Sequence, residues 1–345
     1  MVQAQWTPTG ISFSSGGVRI TGQLGALAKL MEAGVTKDVR DWYGCSGGSI
    51  CALFGVIGVS LTWMRDAAAN FDMRIAGTVE EDIVADVFTT WGVNSGKNMD
   101  LLLSKVIDTW EAGISTWTFA DLAVKRPGST LTIIATNLTA GKLTAFNAVN
   151  TPSVHVLDAI RASSAVPCFF TPWVDAAGDV YCDGAVLEYY PWNSVKDKDR
   201  TLVIACSDTN MGGREKSVVM HNLVDFISRV TSLTLRKNVS NRVKFWIAIN
   251  NESVDPLDFQ MSSEQRLFMF DEGRLAATRW LEFKQVLCSE TQRNQTSHVS
   301  HHTSSSLLSP NRMSDTHQCH NPLPLRALSQ HPHTESSRPS RRWSL

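Results

Sequence analysis

One short stretch constrains the fold more than any other: a strand, a sharp turn that carries a serine, and the start of a helix. The stretch covers residues 39–48, and the apolar run from Ile50 to Leu61 behind it predicts a buried helix. Its turn, Gly44-Cys45-Ser46-Gly47-Gly48, fits the G-x-S-x-G pattern that places a serine on a strained turn at a sheet edge. The flanking glycines let neighbouring backbone approach without a Cβ clash. An ordinary glycine-rich turn remains the alternative, because a lone G-x-S-x-G also arises by chance.

The elbow strand is one of several apolar segments that alternate with helical patterns. The predicted helices include 21–33, 154–162 and 223–235, and residues 62–126 look mostly helical. This alternation predicts a mostly parallel α/β sheet covered on both faces. The other predicted strands cover residues 10–14, 131–135, 143–146, 179–182, 202–206 and 243–249.

Length and composition narrow the class of protein. A chain of 345 residues can bury a large core, and its formal net charge of −1 gives no reason to expect a nucleic acid partner. Residues 1–9 lack the pattern of a signal peptide, and no apolar stretch reaches the ~18 residues that span a bilayer. The seven scattered cysteines, several of them in apolar runs, predict reduced thiols in a cytoplasmic protein.

The composition changes after about Ser289. Residues 291–345 are rich in Ser, His, Pro, Asn and Gln and carry few branched apolar side chains, so they cannot bury enough surface to fold. We therefore expect a catalytic domain over residues 1–288 and a disordered tail over 289–345. The tail clusters His301-His302 and 317–320 are candidates for metal binding, but stray histidines in low-complexity sequence are favoured.

A serine nucleophile needs a base. Before the tail the chain offers only His155 and His221, and both stand at predicted helix starts, which favours surface or capping roles. A carboxylate is therefore the remaining candidate for the base. Asp183 follows an apolar strand, which would place it at the sheet edge where α/β active sites are found. The alternative for Asp183 is a plain Asp-Gly turn.

Acyl transfer also needs hydrogen-bond donors for a developing oxyanion. The loop Ser15-Gly16-Gly17-Val18 lies between the first strand and the first helix, where its N–H groups could serve. A strand–helix turn or an anion-binding nest without catalytic role is the alternative. Arg19 beside it is a candidate for contact with an anionic head group, although pairing with a nearby acid is slightly favoured.

Taken together, four motifs in this order resemble the patatin-like phospholipase family. Residues 14–19 (SSGGVR) resemble its glycine-rich oxyanion motif and residues 44–48 its nucleophile elbow. Residues 159–167 (AIRASSAVP) resemble its A-S-x-A-x-P block, and residues 183–185 its D-G-[GA] motif. The resemblance covers residues 10–190 and continues more faintly to about Leu281.

The resemblance implies a three-layer α/β/α patatin-like fold with a mostly parallel central sheet. It also implies that Ser46 is the nucleophile, that Asp183 is the base of a Ser-Asp dyad without histidine, and that Gly16, Gly17 and Val18 form the oxyanion loop. Two departures stand out: Ser15 replaces a usual glycine, and Ile20 replaces the glycine that usually ends the motif. Serine at position 15 adds strain if that position needs a positive φ.

The function implied is hydrolysis of acyl esters in phospholipids or related lipids, without a metal or other cofactor. Such a substrate lies in a bilayer or micelle, so we expect transient, peripheral membrane contact. The tryptophan-bearing segment 62–120 is the candidate contact surface, although such aromatics are more often core. A transacylase on the same scaffold and a non-catalytic lipid-binding or interaction protein that retains the fold are the rivals. The oligomeric state, the head group and the acyl position stay open.

Overall fold

The computed structural model describes residues 6–207, 226, 243–250 and 254–300. Within these residues, eight strands join in one sheet in the order β5-β6-β3-β2-β1-β7-β8, with β4 pairing to β3 beside this path. The strands are β1 Gly10–Phe13, β2 Asp41–Cys45, β3 Thr130–Asn137, β4 Lys142–Phe146, β5 Trp173–Val174, β6 Val180–Asp183, β7 Thr201–Ser207 and β8 Trp246–Asn250.

The centre of the sheet is parallel and one edge is antiparallel. Strands β3, β2, β1, β7 and β8 run parallel, and the registers place Phe13 beside both Gly44 and Ile204. Strands β4 and β6 pair antiparallel with β3, and β5 pairs antiparallel with β6. The end of β6 therefore returns toward the end of β2, and these two ends carry the candidate catalytic residues.

The helices follow the strands as the alternation predicts. They are α1 Ile20–Glu32, α2 Gly47–Ile57, α3 Leu61–Asn70, α4 Glu81–Ala85, α5 Val87–Thr90, α6 Lys97–Trp110, α7 Phe119–Lys125, α8 Val156–Ser163 and a long helix, α9, Ser263–Ser300. Glycines with left-handed backbone follow two of them, Gly34 (φ 71°) after α1 and Gly58 (φ 70°) after α2. Both glycines occupy a position that favours a residue without Cβ.

Both faces of the sheet are covered, and the side chains alternate between them. Ile11 and Phe13 of β1 join the main core, which includes α1, α2, α8 and the first part of α9. Tyr43 of β2 and Val203 of β7 point the other way, into a smaller cluster with Tyr190 and Trp192. This period of two is what a sheet with two buried faces requires.

Helices α1 and α9 cross with their backbones in close contact. A Cβ on Gly25 would lie 1.8 Å from the Phe270 carbonyl oxygen, and one on Gly273 would lie 1.8 Å from the Gly22 carbonyl oxygen. Glycine is therefore required at this crossing. The contact fixes the start of α9 against the helix that follows the predicted oxyanion loop.

The mixed α/β architecture with a mostly parallel central sheet is confirmed. Helix α9 continues past the predicted boundary at Ser289, to Ser300. Extending a helix that is already nucleated adds one backbone hydrogen bond per residue, so polar sequence can continue it. Three predicted features lie outside the described residues: residues 301–345 of the tail, His221, and the predicted helix 223–235 except for Phe226. No helix in the described ranges is long and apolar enough to cross a bilayer.

Candidate active site

Ser46 occupies the turn between β2 and α2 with a backbone conformation that L-residues rarely adopt. Its φ is 53° and its ψ is −133°. A non-glycine residue in such a conformation costs on the order of 1–3 kcal/mol, and the surrounding structure must hold it there. The G-x-S-x-G sequence therefore forms a strained turn, as predicted.

The glycines of the elbow are required by close backbone contacts. A Cβ on Gly44 would lie 2.4 Å from the Ser49 Cα, and one on Gly48 would lie 2.3 Å from the Ser14 carbonyl oxygen. A Cβ on Gly47 would lie 2.3 Å from the Ile20 Cγ2. The turn therefore packs directly on the loop between β1 and α1, which carries the predicted oxyanion donors.

Asp183 ends β6 and meets the elbow serine. The Ser46 hydroxyl donates a hydrogen bond of 2.6 Å to Asp183 Oδ2, while the Ala185 N–H donates to Oδ1 at 2.8 Å. Both side chains are buried, with Ser46 3% and Asp183 4% exposed. Burial raises the pKa of Asp183 to about 6, against the lowering effects of the Ser46 and Ala185 hydrogen bonds. The structure thus brings together the two residues predicted to form the dyad.

Side-chain and backbone groups of α1 and β7 hold the loop of residues 14–18 by hydrogen bonds. Gln23 Nε2 donates to the Ser14 carbonyl at 2.9 Å, and the Cys206 N–H donates to the Ser14 hydroxyl at 3.1 Å. Gly17 is left-handed, with φ 55°. In the part of the chain that the structure describes, neither the Gly16 nor the Gly17 N–H donates to a protein acceptor. These two amides fit the predicted donor role.

Residues 254–260, here named the covering segment, lie over the oxyanion loop. The Val18 N–H donates to the Pro256 carbonyl at 2.9 Å, and Arg19 Nε donates to the Val254 carbonyl at 2.8 Å. A Cβ on Gly17 would lie 2.0 Å from the Pro256 oxygen. The Val18 donor is therefore engaged by protein in this conformation, and Arg19 is 8% exposed with a backbone carbonyl as one partner.

The other end of the covering segment is held by aromatic rings. Phe259 stacks on Phe169 with ring centroids 5.2 Å apart and planes 8° apart, and it meets the edge of Phe170 at 6.2 Å. A Cβ on Gly77 would lie 2.3 Å from the Phe259 side chain. The covering segment therefore links the oxyanion loop to the chain that follows residues 159–167.

The family model of patatin-like phospholipases matches residues 11–196, which are more than half of the chain and include all four motifs of this site. The chain belongs to the patatin-like phospholipase family.

Relatives and solved structures agree with this family. An uncharacterized protein of Acanthamoeba polyphaga mimivirus is 24% identical over 280 residues, which cover 76% of this chain and 90% of that protein. A probable lipid hydrolase of Invertebrate iridescent virus 6 is 26% identical over 271 residues, 77% of this chain and 86% of that protein. The crystal structure of VipD from Legionella pneumophila superposes with a TM-score of 0.53 at 16% identity, covering 80% of this chain and 67% of VipD, and this likeness concerns the fold alone.

Membership of the patatin-like phospholipase family supports a lipid ester hydrolase. The two departures from the family motif cause no visible strain at the site. Ser15 is absent from the described non-glycine residues with positive φ, and its N–H donates to the Tyr189 carbonyl at 2.7 Å. Ile20 is 5% exposed and fills the space against Gly47. These departures therefore give little support to a non-catalytic protein.

Neither Cys45 nor His155 is placed as a rival catalytic group. Cys45 is fully buried, its thiol donates to the Glu188 carbonyl at 3.4 Å, and burial raises its pKa well above the ordinary value. His155 precedes α8, with Nδ1 2.9 Å from the Thr116 carbonyl oxygen. The opposite end of α8, about 12 Å away at ~1.5 Å per residue, is the end that contacts Ser46.

The tryptophans of segment 62–120 divide between core and surface. Trp63 meets Phe54 and Trp110 edge-on, at 5.1 and 6.1 Å between ring centroids, and Trp117 is buried. Trp91 is 57% exposed. No group of three or more potential metal ligands occurs among the described residues.

Sequence reasoning missed the polar groups that hold the site. Ser163, inside the recognised A-S-x-A-x-P block, contacts the Ser46 backbone, and Gln23 anchors the oxyanion loop. The covering segment was also missed, because no pattern in residues 254–260 marks a contact with a loop more than 230 residues earlier. A polar residue on the apolar face of α1 was the available signal for Gln23.

Proposed function

We propose that the chain is a lipid acyl hydrolase of the phospholipase A or lysophospholipase type, with Ser46 and Asp183 as its catalytic dyad. One observation carries the proposal: a serine hydroxyl on a left-handed elbow donates a 2.6 Å hydrogen bond to a buried carboxylate. A nucleophile and its base within hydrogen-bond reach are the geometric requirement for covalent catalysis.

In the first half-reaction the ionised Asp183 accepts the Ser46 proton at Oδ2 while Ser46 Oγ attacks the ester carbonyl carbon. The carbonyl π electrons move to oxygen, and the Gly16 and Gly17 N–H groups stabilise this oxyanion. When the intermediate collapses, the bond to the leaving alkoxide breaks and Asp183 returns the proton to it. The products are an alcohol, such as a lysophospholipid, and an acyl-enzyme on Ser46.

In the second half-reaction water replaces the alcohol. Asp183 accepts a proton from the water as it attacks the acyl carbon, and the proton then passes to Ser46 Oγ as the fatty acid leaves. The chemistry uses one base twice, so no histidine is required. Val18 becomes a third oxyanion donor only when the Pro256 carbonyl has left its N–H.

The electrostatics of Asp183 suit this role. A general base works best when its pKa is near the operating pH, and burial raises the pKa of Asp183 to about 6. The Ala185 N–H holds the second carboxylate oxygen, so Oδ2 keeps facing Ser46. A carboxylate with an ordinary pKa would accept the serine proton less readily.

We also propose that the protein is cytoplasmic and contacts lipid surfaces through exposed apolar side chains in residues 75–91. Five large apolar residues there are strongly exposed: Ile75 49%, Val79 52%, Val84 41%, Phe88 92% and Trp91 57%. Burial of apolar surface is the driving force for such contact. Glu80, Glu81, Asp82 and Asp86 lie in the same segment, so we expect a preference for neutral over anionic lipid.

A fluorophosphonate probe and a soluble ester test the dyad nucleophile. Ser46→Ala should lose labelling and at least about 10³-fold in turnover, because it removes the hydroxyl that forms the acyl-enzyme. Cys45→Ala should keep most of both, since the Cys45 thiol is buried beneath the turn. If Cys45→Ala is the inactive variant, the nucleophile assignment is wrong.

Vesicles test the lipid contact separately. Phe88→Ala combined with Trp91→Ala should lower hydrolysis of phosphatidylcholine vesicles by about tenfold while leaving turnover of the soluble ester unchanged, because two large exposed side chains can bury about 150–250 Å² each. Val149→Ala is the matched control, since Val149 is 89% exposed in the turn after β4. Equal losses with vesicles and soluble ester would contradict a role in lipid contact.

A further inference from the structure

Residues 159–167, the A-S-x-A-x-P block, take no part in the proposed chemistry, yet they contact both members of the dyad. Ser163 is the last residue of α8 and is fully buried. Its hydroxyl lies 2.7 Å from the Ser46 backbone nitrogen and 2.6 Å from the Ile134 carbonyl oxygen. A carbonyl only accepts, so the hydroxyl proton goes to Ile134 and a lone pair of Ser163 Oγ accepts the Ser46 N–H.

This hydrogen bond acts on the residue whose backbone is most unusual in the site. Ser46 has φ 53°, and relaxation of that angle would swing the Cα–Cβ bond and carry the Oγ away from Asp183. The Ser46 carbonyl is held as well, because it accepts from the Ser49 hydroxyl and from the Ser49 N–H. Two serine hydroxyls therefore fix the peptide groups on either side of the nucleophile.

The same block holds the base. The Ala165 carbonyl accepts the Asp183 N–H at 2.9 Å, two residues after Ser163. The Thr136 hydroxyl donates to the Asp183 carbonyl at 3.0 Å, and Ile134 on the same strand accepts from Ser163. Ser163, Ala165 and β3 thus form one frame that positions the backbones of Ser46 and Asp183 relative to each other.

We propose that Ser163 is a positioning residue for this reaction: its hydroxyl holds the Ser46 backbone in the left-handed conformation that keeps Ser46 Oγ on Asp183 Oδ2. The role rests on the proposed function, because it acts only through the Ser46–Asp183 dyad. The Ser163 hydroxyl bonds to the backbones of Ser46 and Ile134 and not to Ser46 Oγ or Asp183 Oδ2.

The test uses the full chain and kinetics on a soluble ester. Ser163→Ala removes the acceptor of the Ser46 N–H, and we expect kcat to fall about 10²-fold, the scale of a 1 Å misplacement, while KM changes less than about threefold. Ser164→Ala is the matched control: its neighbouring hydroxyl is also buried but has no hydrogen-bond partner among the described residues. We expect Ser164→Ala to keep the kcat of the parent.

Two further readouts separate positioning from general damage to the fold. Ser163→Thr keeps a hydroxyl, so it should recover at least about tenfold of the kcat lost in Ser163→Ala. The Ser46 hydrogen bond lowers the pKa of Asp183, so its loss in Ser163→Ala should move the acid limb of the rate profile to higher pH. Ser164→Ala should leave that limb in place.

The outcomes distinguish this inference from the proposed function. If Ser46→Ala keeps activity, the proposed function fails. If Ser46→Ala is inactive while folded Ser163→Ala matches Ser164→Ala in kcat and in its acid limb, only the positioning role is overturned. An insoluble Ser163→Ala leaves Ser163→Cys to decide, because a thiol is a weak acceptor of similar size: a roughly 10²-fold loss of kcat in folded Ser163→Cys with a shifted acid limb supports the role, and the kcat and acid limb of the parent overturn it.

Discussion

The two halves of the site differ in how complete they are. On one side, Ser46 and Asp183 already share a 2.6 Å hydrogen bond, and their backbones are held by Ser163 and by Ala165 respectively. On the other side, the Val18 N–H of the oxyanion loop is engaged by the Pro256 carbonyl. In the proposed mechanism, proton transfer from Ser46 to Asp183 thus needs no rearrangement, whereas full use of the oxyanion loop requires the covering segment to move.

The difference follows from what each half has to do. A nucleophile and its base perform the same transfer in every turnover, so a rigid frame serves them. In the proposed mechanism the oxyanion loop must exchange partners, because its donors bind an oxygen that arrives with each substrate. The Pro256 carbonyl is a hydrogen-bond acceptor in the place where such an oxygen would bind to Val18.

The largest expected effect concerns the dyad half. Asp183→Asn keeps the shape of the side chain but removes the basic site, so turnover of a soluble ester should fall at least about 10³-fold. His155→Ala should lose less than about tenfold, because His155 lies at the far end of α8 from Ser46. Should a folded His155→Ala be inactive while Asp183→Asn retains turnover, the dyad is wrong.

The same variant has a second, opposite effect on stability. The pKa of Asp183 is about 6 in the folded protein against 3.8 as its ordinary value, so the folded state holds the proton more tightly. The contribution of Asp183 to the free energy of unfolding is therefore fully present below about pH 4 and is lost as pH rises through 6. The loss amounts to about 3 kcal/mol, at ~1.4 kcal/mol per pKa unit. The free energy of unfolding of Asp183→Asn at pH 7 should equal or exceed that of the parent, and denaturant titrations at pH 7 and pH 4 should show this difference shrinking.

A smaller effect is expected on the oxyanion half. Gly17→Ala places a Cβ 2.0 Å from the Pro256 oxygen at φ 55°, so it should cost about 10²-fold in turnover by displacing the loop donors. Gly58→Ala is the matched control, since Gly58 has φ 70° but no atom within 4 Å of an added Cβ. Gly58→Ala should cost about 1–2 kcal/mol of stability without loss of turnover. Equal turnover in the two variants would contradict a role of the Gly17 position.

The pH dependence probes the carboxylate without any substitution. Asp183 must be ionised to act as a base, so kcat/KM of the soluble ester should fall about tenfold per pH unit below about pH 6 and level off above it. An acid limb of the kcat/KM profile near pH 4 would indicate that Asp183 is more solvated during turnover than in this structure. A limb that disappears in His155→Ala would indicate an imidazole base.

Local sequence patterns predicted the half of the candidate site that contains Ser46 and Asp183. The elbow and the Asp-Gly turn depend on residues adjacent in sequence, and the strands that carry them have clear apolar patterns, so Ser46 and Asp183 were found from the sequence. Family resemblance, not spacing, made the pair specific. The contacts of Ser163 and Thr136 were not predicted, because a buried hydroxyl gives no sequence signal for its partner.

The half of the site that contains the oxyanion loop and the covering segment was less predictable. The contact between Pro256 and Val18 is a backbone hydrogen bond, which depends on the path of the chain and not on side-chain identity. The helix α9 also extended past the predicted boundary at Ser289, because helix continuation there depends on the packed first turns and not on composition. Long-range backbone contacts and helix ends are thus the features that sequence patterns described least well.

The smallest expected effect is on the covering segment itself. Phe259 holds this segment by stacking on Phe169, a contact worth about 0.5–1.5 kcal/mol beyond the area it buries. Phe259→Ala should weaken the hold and free the Val18 N–H more often, so turnover of a soluble ester should rise by about two- to tenfold, the change that such an energy gives. Phe268→Ala, at a 62% exposed phenylalanine of α9, should leave turnover unchanged. A fall in turnover of folded Phe259→Ala would mean that the covering segment forms part of the productive substrate site, and the two halves would then be equally complete before substrate binds.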